Sequence, residues 1–241
     1  MSITTPLTTP FTDSYDSAFL LDTMMGPNAM RITEEMAAQL PITPGMRILD
    51  LGCGKGISSI LLAKKYDVTV FAADLWITPT ENARRFASQG VDSHIIPLLL
   101  DVTKEIPFAQ EYFDMIISVD AWQYFGSNDS MLAKILPFVK PNGLIAVAVP
   151  GFIQDYSEGN LPEVVKPFWT PDWYFYSCHW WRTLWEKEPG IEILQLREMD
   201  SCQQAWDDFM PCTLAQEMMV PIMEAGAGAY FNMIQIVGRK V

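Results

Sequence analysis

Short apolar runs and amphipathic runs alternate along this chain, and the change from one period to the other marks its elements. Residues 17–25 (SAFLLDTMM) predict a short apolar helix, stopped by Gly26-Pro27-Asn28. Residues 29–40 place Met30, Ile32, Met36, Ala37 and Leu40 on the apolar side of a second helix. From Met46 the rhythm changes. MRILDLG predicts a strand ending in glycines, SSILLAKKY a helix, VTVFAADL a strand, TPTENARRFASQG a helix and HIIPLLLD a strand. FDMIISVDA predicts the next strand, SMLAKILPFV a helix ending at Lys140-Pro141-Asn142-Gly143, and LIAVAVPG another strand. Strands that are apolar throughout and alternate with helices predict a parallel sheet covered on both faces. Right-handed crossovers then give an α/β, doubly wound, Rossmann-like sheet.

After Gly151 the alternation stops. Residues 152–176 predict irregular backbone carrying a dense aromatic set, CHWWRTLWEKEPG a helix, and IEILQLREM a strand. Residues 201–229 read as mostly helical and YFNMIQIVGRK as a closing strand. Two insertions near the end of such a sheet predict a helical and aromatic lid rather than a separate domain. The Thr/Pro-rich opening, to about Ser14, predicts loose order.

Composition narrows the partners. The chain has 241 residues, enough for one substantial core, and a formal charge of −13. An acidic surface without a Lys/Arg run repels a phosphate backbone, so nucleic acid is excluded as a substrate. The longest apolar runs, residues 95–100 and 144–150, fall far short of a bilayer span, and no membrane insertion is expected. The first residues show neither a basic head nor an apolar signal core, so a cytoplasmic location is expected. The four cysteines are scattered and there are only two histidines, which predicts neither a disulfide framework nor a metal site. Either a monomer or a homodimer is compatible with these features.

The strongest chemical signal is ILDLGCGKG, residues 48–56. A strand delivers Asp50 to its carboxyl end, and Gly52, Gly54 and Gly56 then turn the chain into a helix. Such glycines let backbone approach a ligand closely, in the crevice where open α/β sheets bind their ligands. A dinucleotide fingerprint would need a third glycine where Ile57 stands, and a phosphate-cradling GxxxxGK[ST] loop is out of register. Asp74 closes the next strand, where a carboxylate can accept both hydroxyls of a ribose or cap the following helix.

These residues resemble the class I S-adenosylmethionine-dependent methyltransferases, over about residues 42–150 and again weakly in the last two strands. The family's E/DxGxGxG loop is matched by Asp50, Gly52, Gly54 and Gly56, with Cys53 within it. The acidic end of its second strand is matched by Asp74, followed by Leu75. The Asp beside the donor's adenine maps onto Asp101, with Val102 next to it. FDMIIS matches the fourth strand, so that Ser118 and Asp120 flank the donor. VKPNG stands for the family's LKPGG turn, with Asn142 replacing a glycine. In the small-molecule branch an MGPN-type loop covers the donor, which implicates Gly26 and Asn28. The resemblance implies seven strands with an antiparallel last one, S-adenosylmethionine as methyl donor and a small-molecule acceptor. It also implies one domain over residues 1–241: a helical cover to 40, a donor-binding core over 41–150, lid insertions and the sixth strand over 151–229, and the last strand over 230–241.

The acceptor side is read from the residues beyond that loop. Trp122, Tyr124, Trp173, Tyr176, Trp180 and Trp181 are the expected acceptor wall, either an apolar pocket or an aromatic cage for a cationic amine, with lid packing as the alternative. His179 and Asp120 are the expected bases, and Asp120 alternatively orients the donor's ammonium group. Tyr176-Ser177-Cys178 resembles a segment of cyclopropane fatty acid synthases, but it lies after the fifth strand rather than before the glycine loop, and that activity is not carried over. A nicotinamide-dependent oxidoreductase and a donor-binding partner protein without catalysis are the competing readings.

Overall fold

The computed structural model describes residues 10–157 and 159–241, so part of the Thr/Pro-rich opening lies outside the described residues. The described part of that opening is tied down. Glu34 accepts hydrogen bonds from the Phe11 and Thr12 amides and from the Thr12 hydroxyl, and these hold a 3-10 turn at Thr12–Ser14.

Two helices follow, α1 (Ser17–Thr23) and α2 (Ala29–Ala37), capped by the Asp16 and Asn28 side chains. The alternation then runs β1 (Arg47–Leu51), α3 (Ile57–Tyr66), β2 (Thr69–Asp74), α4 (Pro79–Ser88), β3 (Ile95–Leu99) and β4 (Phe113–Val119). Next come two short helices, α5 (Trp122–Phe125) and α6 (Met131–Ile135), and a long β5 (Val139–Phe152). After the irregular aromatic stretch the elements are α7 (Cys178–Trp185), β6 (Ile191–Glu198), α8 (Cys202–Phe209), α9 (Thr213–Met218), α10 (Val220–Glu224) and β7 (Phe231–Lys240). The periodicity missed α5, whose single turn is too short to show a helical repeat. Pro137 ends α6 early, and the chain continues as a 3-10 turn at Leu136–Phe138. Asn142 takes φ +62°, in the left-handed region that favours glycine and that Asn tolerates.

The seven strands form one sheet in the order β3-β2-β1-β4-β5-β7-β6. Strands β1 to β5 pair in parallel, and β7 runs antiparallel to both β5 and β6. The strand order reverses between β1 and β4. This is the switch point where the connections leave for opposite faces and a crevice opens beyond the strand ends.

Successive side chains point to opposite faces, so each strand feeds two cores. Ile48, Val70, Ala72, Met115 and Ile117 pack under Leu20, Met30, Ile32, Met36 and Ile60 of the first three helices, with Trp206 and Phe209 of α8. Leu49, Leu51, Ile116, Ile145 and Val147 pack against Trp122, Ile135, Trp181 and Trp185 on the other face. A smaller cluster gathers Phe152, Leu161, Val165, Ile222 and Phe231 beneath the aromatic stretch. Each such large side chain contributes roughly 1.5–3 kcal/mol on burial.

Candidate active site

At the switch point a cleft of about 260 Å³ opens at the carboxyl ends of β1 to β4. Its floor is the glycine loop, where Gly52, Gly54 and Gly56 all have positive φ. Gly54 has φ +54°, and a Cβ there would come within 3.1 Å of Met25 Sδ. A side chain at this position would be strained and would enter the gap between loop and helical cover.

Asp74 fastens this floor. Its Oδ2 accepts the Gly54 amide at 2.8 Å, and its Oδ1 accepts the Trp76 and Ile77 amides at 2.8 and 2.9 Å. A carboxylate offers about four acceptor positions, and the three amides leave one for a ligand hydroxyl. Asp101 lines the next strand end and accepts from the Thr103 hydroxyl and amide at 2.5 and 3.0 Å. The Thr103 hydroxyl, aided by Lys104 at 3.2 Å, holds the Asp101 carboxyl below the usual carboxylate range. Leu75 and Val102 supply apolar wall beside these two acids.

Asp120 forms the opposite end, just past β4. It sits at φ +54°, a sparsely populated conformation for a residue with a Cβ. Its amide donates to the Ala148 carbonyl at 2.8 Å, and its Oδ1 accepts from Gln123 Nε2 at 3.2 Å. Gly26 of the cover lies directly against the carboxylate, where an added Cβ would stand 2.1 Å from Oδ2. Burial in this contact pushes the Asp120 carboxyl up to about 7, and the Gln123 hydrogen bond opposes it only in part. Tyr124 and Phe125 complete this end, and Trp76 faces Tyr124 across the mouth with ring centroids 6.2 Å apart.

The cleft thus collects Gly26, Gly52, Cys53, Gly54, Asp74, Leu75, Asp101, Val102, Asp120 and Tyr124 from the residues singled out in the sequence. Others lie elsewhere. Asp50 is fully buried beneath the loop, where Ser58 and Ser59 both donate to its Oδ2 at 2.6 Å. Burial raises its carboxyl to about 6 despite those two donors. Asn28 caps α2 and donates to Asp208 at 2.8 Å, and Ser118 donates to the Leu51 carbonyl at 2.7 Å. Ser118 is spent on holding backbone, and Asn28 on its helix cap and the tie to Asp208.

The expected aromatic wall is mostly corrected. Trp122 and Trp181 are fully buried in the core. Trp173 packs on Phe175 and Phe231. Tyr176 and Trp180 stack on each other at 3.7 Å. His179 is exposed and lines a separate surface hollow with Asp155, Trp180 and Lys187. Tyr124 alone of the six reaches the cleft. Conversely, Met25, Lys55, Trp76 and Phe125 line it without having been singled out. Trp76 lies two residues past Asp74 and Lys55 within the glycine loop, so both were legible by their neighbours; Met25 and Phe125 depend on how α1 and α5 dock.

Among the described residues no three His, Cys, Asp or Glu side chains converge to hold a metal ion, and no helix is long and apolar enough to cross a membrane.

Comparison with known proteins bears on this geometry. Residues 48–143 match the family described as the methyltransferase domain. The methyltransferase GfsG of Streptomyces halstedii is 29% identical over 119 residues, which cover 49% of this chain and 42% of that protein. The match therefore spans under half the length of that relative. Among solved structures, the [4+2]-cyclase SpnF superposes with a TM-score of 0.68 at 16% identity, over 95% of this chain and 94% of that one. Geranyl diphosphate methyltransferase in complex with SAM gives 0.66 at 15% identity, over 93% and 84%. The two structures share the fold, and the cyclase shows that the fold alone does not dictate a reaction. The strand order with its antiparallel β7, the glycine loop at the switch point and the match over residues 48–143 agree: those residues match a methyltransferase domain, set in a chain with the Rossmann-like fold of S-adenosylmethionine-dependent methyltransferases.

Proposed function

We propose that this protein transfers a methyl group from S-adenosylmethionine to a small, partly apolar or amine-containing molecule. The observation that carries the reading is the convergence of Gly54, Asp74 and Asp101 on one cleft from three successive strand ends. S-adenosylmethionine, when bound, supplies a methyl group activated on a sulfonium. In this reading Asp74 accepts a ribose hydroxyl, and Asp101 with Leu75 and Val102 holds the adenine. The glycine loop gives the rest of the donor close backbone contact. The cover loop around Met25 and Gly26 closes over it and excludes water, so that alignment of the two reactants supplies most of the rate. Asp120 and Tyr124 face the acceptor, and Asp120 is the proposed base.

In this reading the chain is one unit, with residues 1–40 as its cover and 151–229 as its lid. It acts in the cytoplasm, on neither nucleic acid nor membrane, and a surface of charge −13 suits that assignment. Titration calorimetry with S-adenosylhomocysteine and, separately, NADH tests the donor assignment. Saturable binding of the thioether with no nicotinamide binding is expected. Nicotinamide binding with no response to the thioether would establish the oxidoreductase reading in its place.

A further inference from the structure

The charges around the cleft are unevenly distributed, and this bears on the acceptor, granted the proposed methyl transfer. Three carboxylates line it: Asp74, Asp101 and Asp120. Among the described residues lining the cleft, Lys55 is the single cation. Lys55 belongs to the glycine loop, beside Gly54, and its ammonium donates to the Asp22 carbonyl at 2.5 Å. It therefore stands at the donor's side, where the donor's own carboxylate is its natural partner. Among the described lining residues no cationic side chain stands at the end formed by Asp120, Tyr124 and Phe125.

That end is otherwise apolar. Met25 and Pro27 come from the cover, Ala121 and Phe125 from beyond β4, and the exposed rings of Trp76 and Tyr124 from the mouth. Besides the Tyr124 hydroxyl, two polar groups lie there. The Asp120 carboxylate lines the cleft, and Gln123 behind it is fully buried with its Oε1 unpartnered. A phosphate or carboxylate seated beside Asp120 would meet a like charge with no protein cation among the lining residues to offset it.

We infer that the acceptor is a molecule with an apolar body and a neutral hydroxyl or amine as nucleophile, carrying no phosphate or carboxylate group, and that its reacting hydrogen points at Asp120. In the transfer, the lone pair of the acceptor's oxygen or nitrogen forms the new bond to the methyl carbon. The carbon–sulfur bond breaks with its electron pair going to sulfur, which converts the sulfonium to a neutral thioether. The proton released by the acceptor goes to the Asp120 carboxylate. The raised affinity of Asp120 for a proton, near 7, suits an acceptor of that proton at neutral pH. This specificity separates the chain from its structural neighbour that is named for geranyl diphosphate.

The test uses S-adenosylmethionine labelled in its methyl group. The full-length protein is incubated with it and a small-molecule extract of the organism that makes the protein. The extract is divided beforehand on an anion exchanger into a retained fraction, which holds phosphates and carboxylates, and a flow-through of neutral and cationic compounds. Label is expected in flow-through compounds, with at least ~100-fold less in the retained fraction, the scale set by like-charge contact. Label mainly in retained compounds would overturn the inference while leaving methyl transfer intact. Absence of label from both fractions, in a protein that binds S-adenosylhomocysteine, would remove the methyl-transfer reading and this inference with it. Asp120→Asn supplies a second readout. It should abolish the rise of kcat/KM with pH and leave S-adenosylhomocysteine affinity within about threefold; an unchanged pH profile would exclude Asp120 as the proton's destination.

Discussion

Three positions decide what the cleft can do. Gly54→Val puts a branched side chain at φ +54° and against Met25, so it should abolish S-adenosylhomocysteine binding in calorimetry while the protein remains folded by circular dichroism. Asp74→Ala should weaken the same ligand by roughly 1–3 kcal/mol through lost charge-assisted hydrogen bonds. Part of that loss would come from the loop itself, because the Gly54, Trp76 and Ile77 amides lose their shared acceptor. For Asp120 the expectation concerns pH. Burial places its proton affinity near 7, so a base at this position is protonated and idle below that value and active above it. Activity should rise with pH through about 7, measured as kcat/KM across pH 5.5–8.5. These three positions were legible in the sequence because each follows a strand that ends in a recognisable way. Asp50 was legible only as part of the same motif. Its side chain turns inward to Ser58 and Ser59, and no spacing rule distinguishes an acid that faces a ligand from one that supports the loop beneath.

The elements around the sheet divide into those that build the cleft and those that brace it. The cover is clamped at both ends. Arg31 pairs with Asp13 and Asp208, and Glu34 joins the first described turn to Lys65 of α3. Burial alone would raise the Glu34 carboxyl, but Lys65 and the Thr12 and Phe11 donors outweigh it and hold it at about 2. The folded state therefore binds this proton less tightly than the unfolded chain, whose glutamate titrates near 4.5. The stabilisation is complete above about pH 4.5 and is lost as the pH falls toward 2. Urea denaturation of the wild type and Glu34→Gln should differ at pH 6 and converge near pH 2; a constant difference across that range would mean that the clamp does not depend on charge. The lid was read differently from its sequence. A run as rich in Trp and Tyr as residues 173–185 resembles a binding wall, yet most of those rings are interior packing of α7 and its approach to β5. A helix's apolar face has the same composition whether it meets a substrate or a sheet, and composition cannot separate the two.

In the folded protein as a unit, stability and donor binding should come apart. Trp181 is fully buried against the face of the sheet opposite the cover, so Trp181→Ala should cost about 3–5 kcal/mol in denaturant unfolding with little change in S-adenosylhomocysteine affinity. A large loss of ligand affinity at unchanged stability would instead restore Trp181 to the acceptor wall. The wild type with S-adenosylhomocysteine at 100 times its Kd should gain about 2.7 kcal/mol, or roughly 5–10 °C in Tm for a chain of this size. Gly54→Val should show no such gain. The order of apolar strands and amphipathic helices and the glycine loop after β1 were determined by the sequence alone, because local periodicity and backbone geometry act over a few neighbouring residues. The identity of the cleft's far wall was not. Gly26 against Asp120, Trp76 across from Tyr124, and His179 turned away into a separate hollow each depend on how distant helices dock on the finished sheet. Docking is decided by the total apolar area that can be buried at once, a property no short segment carries by itself.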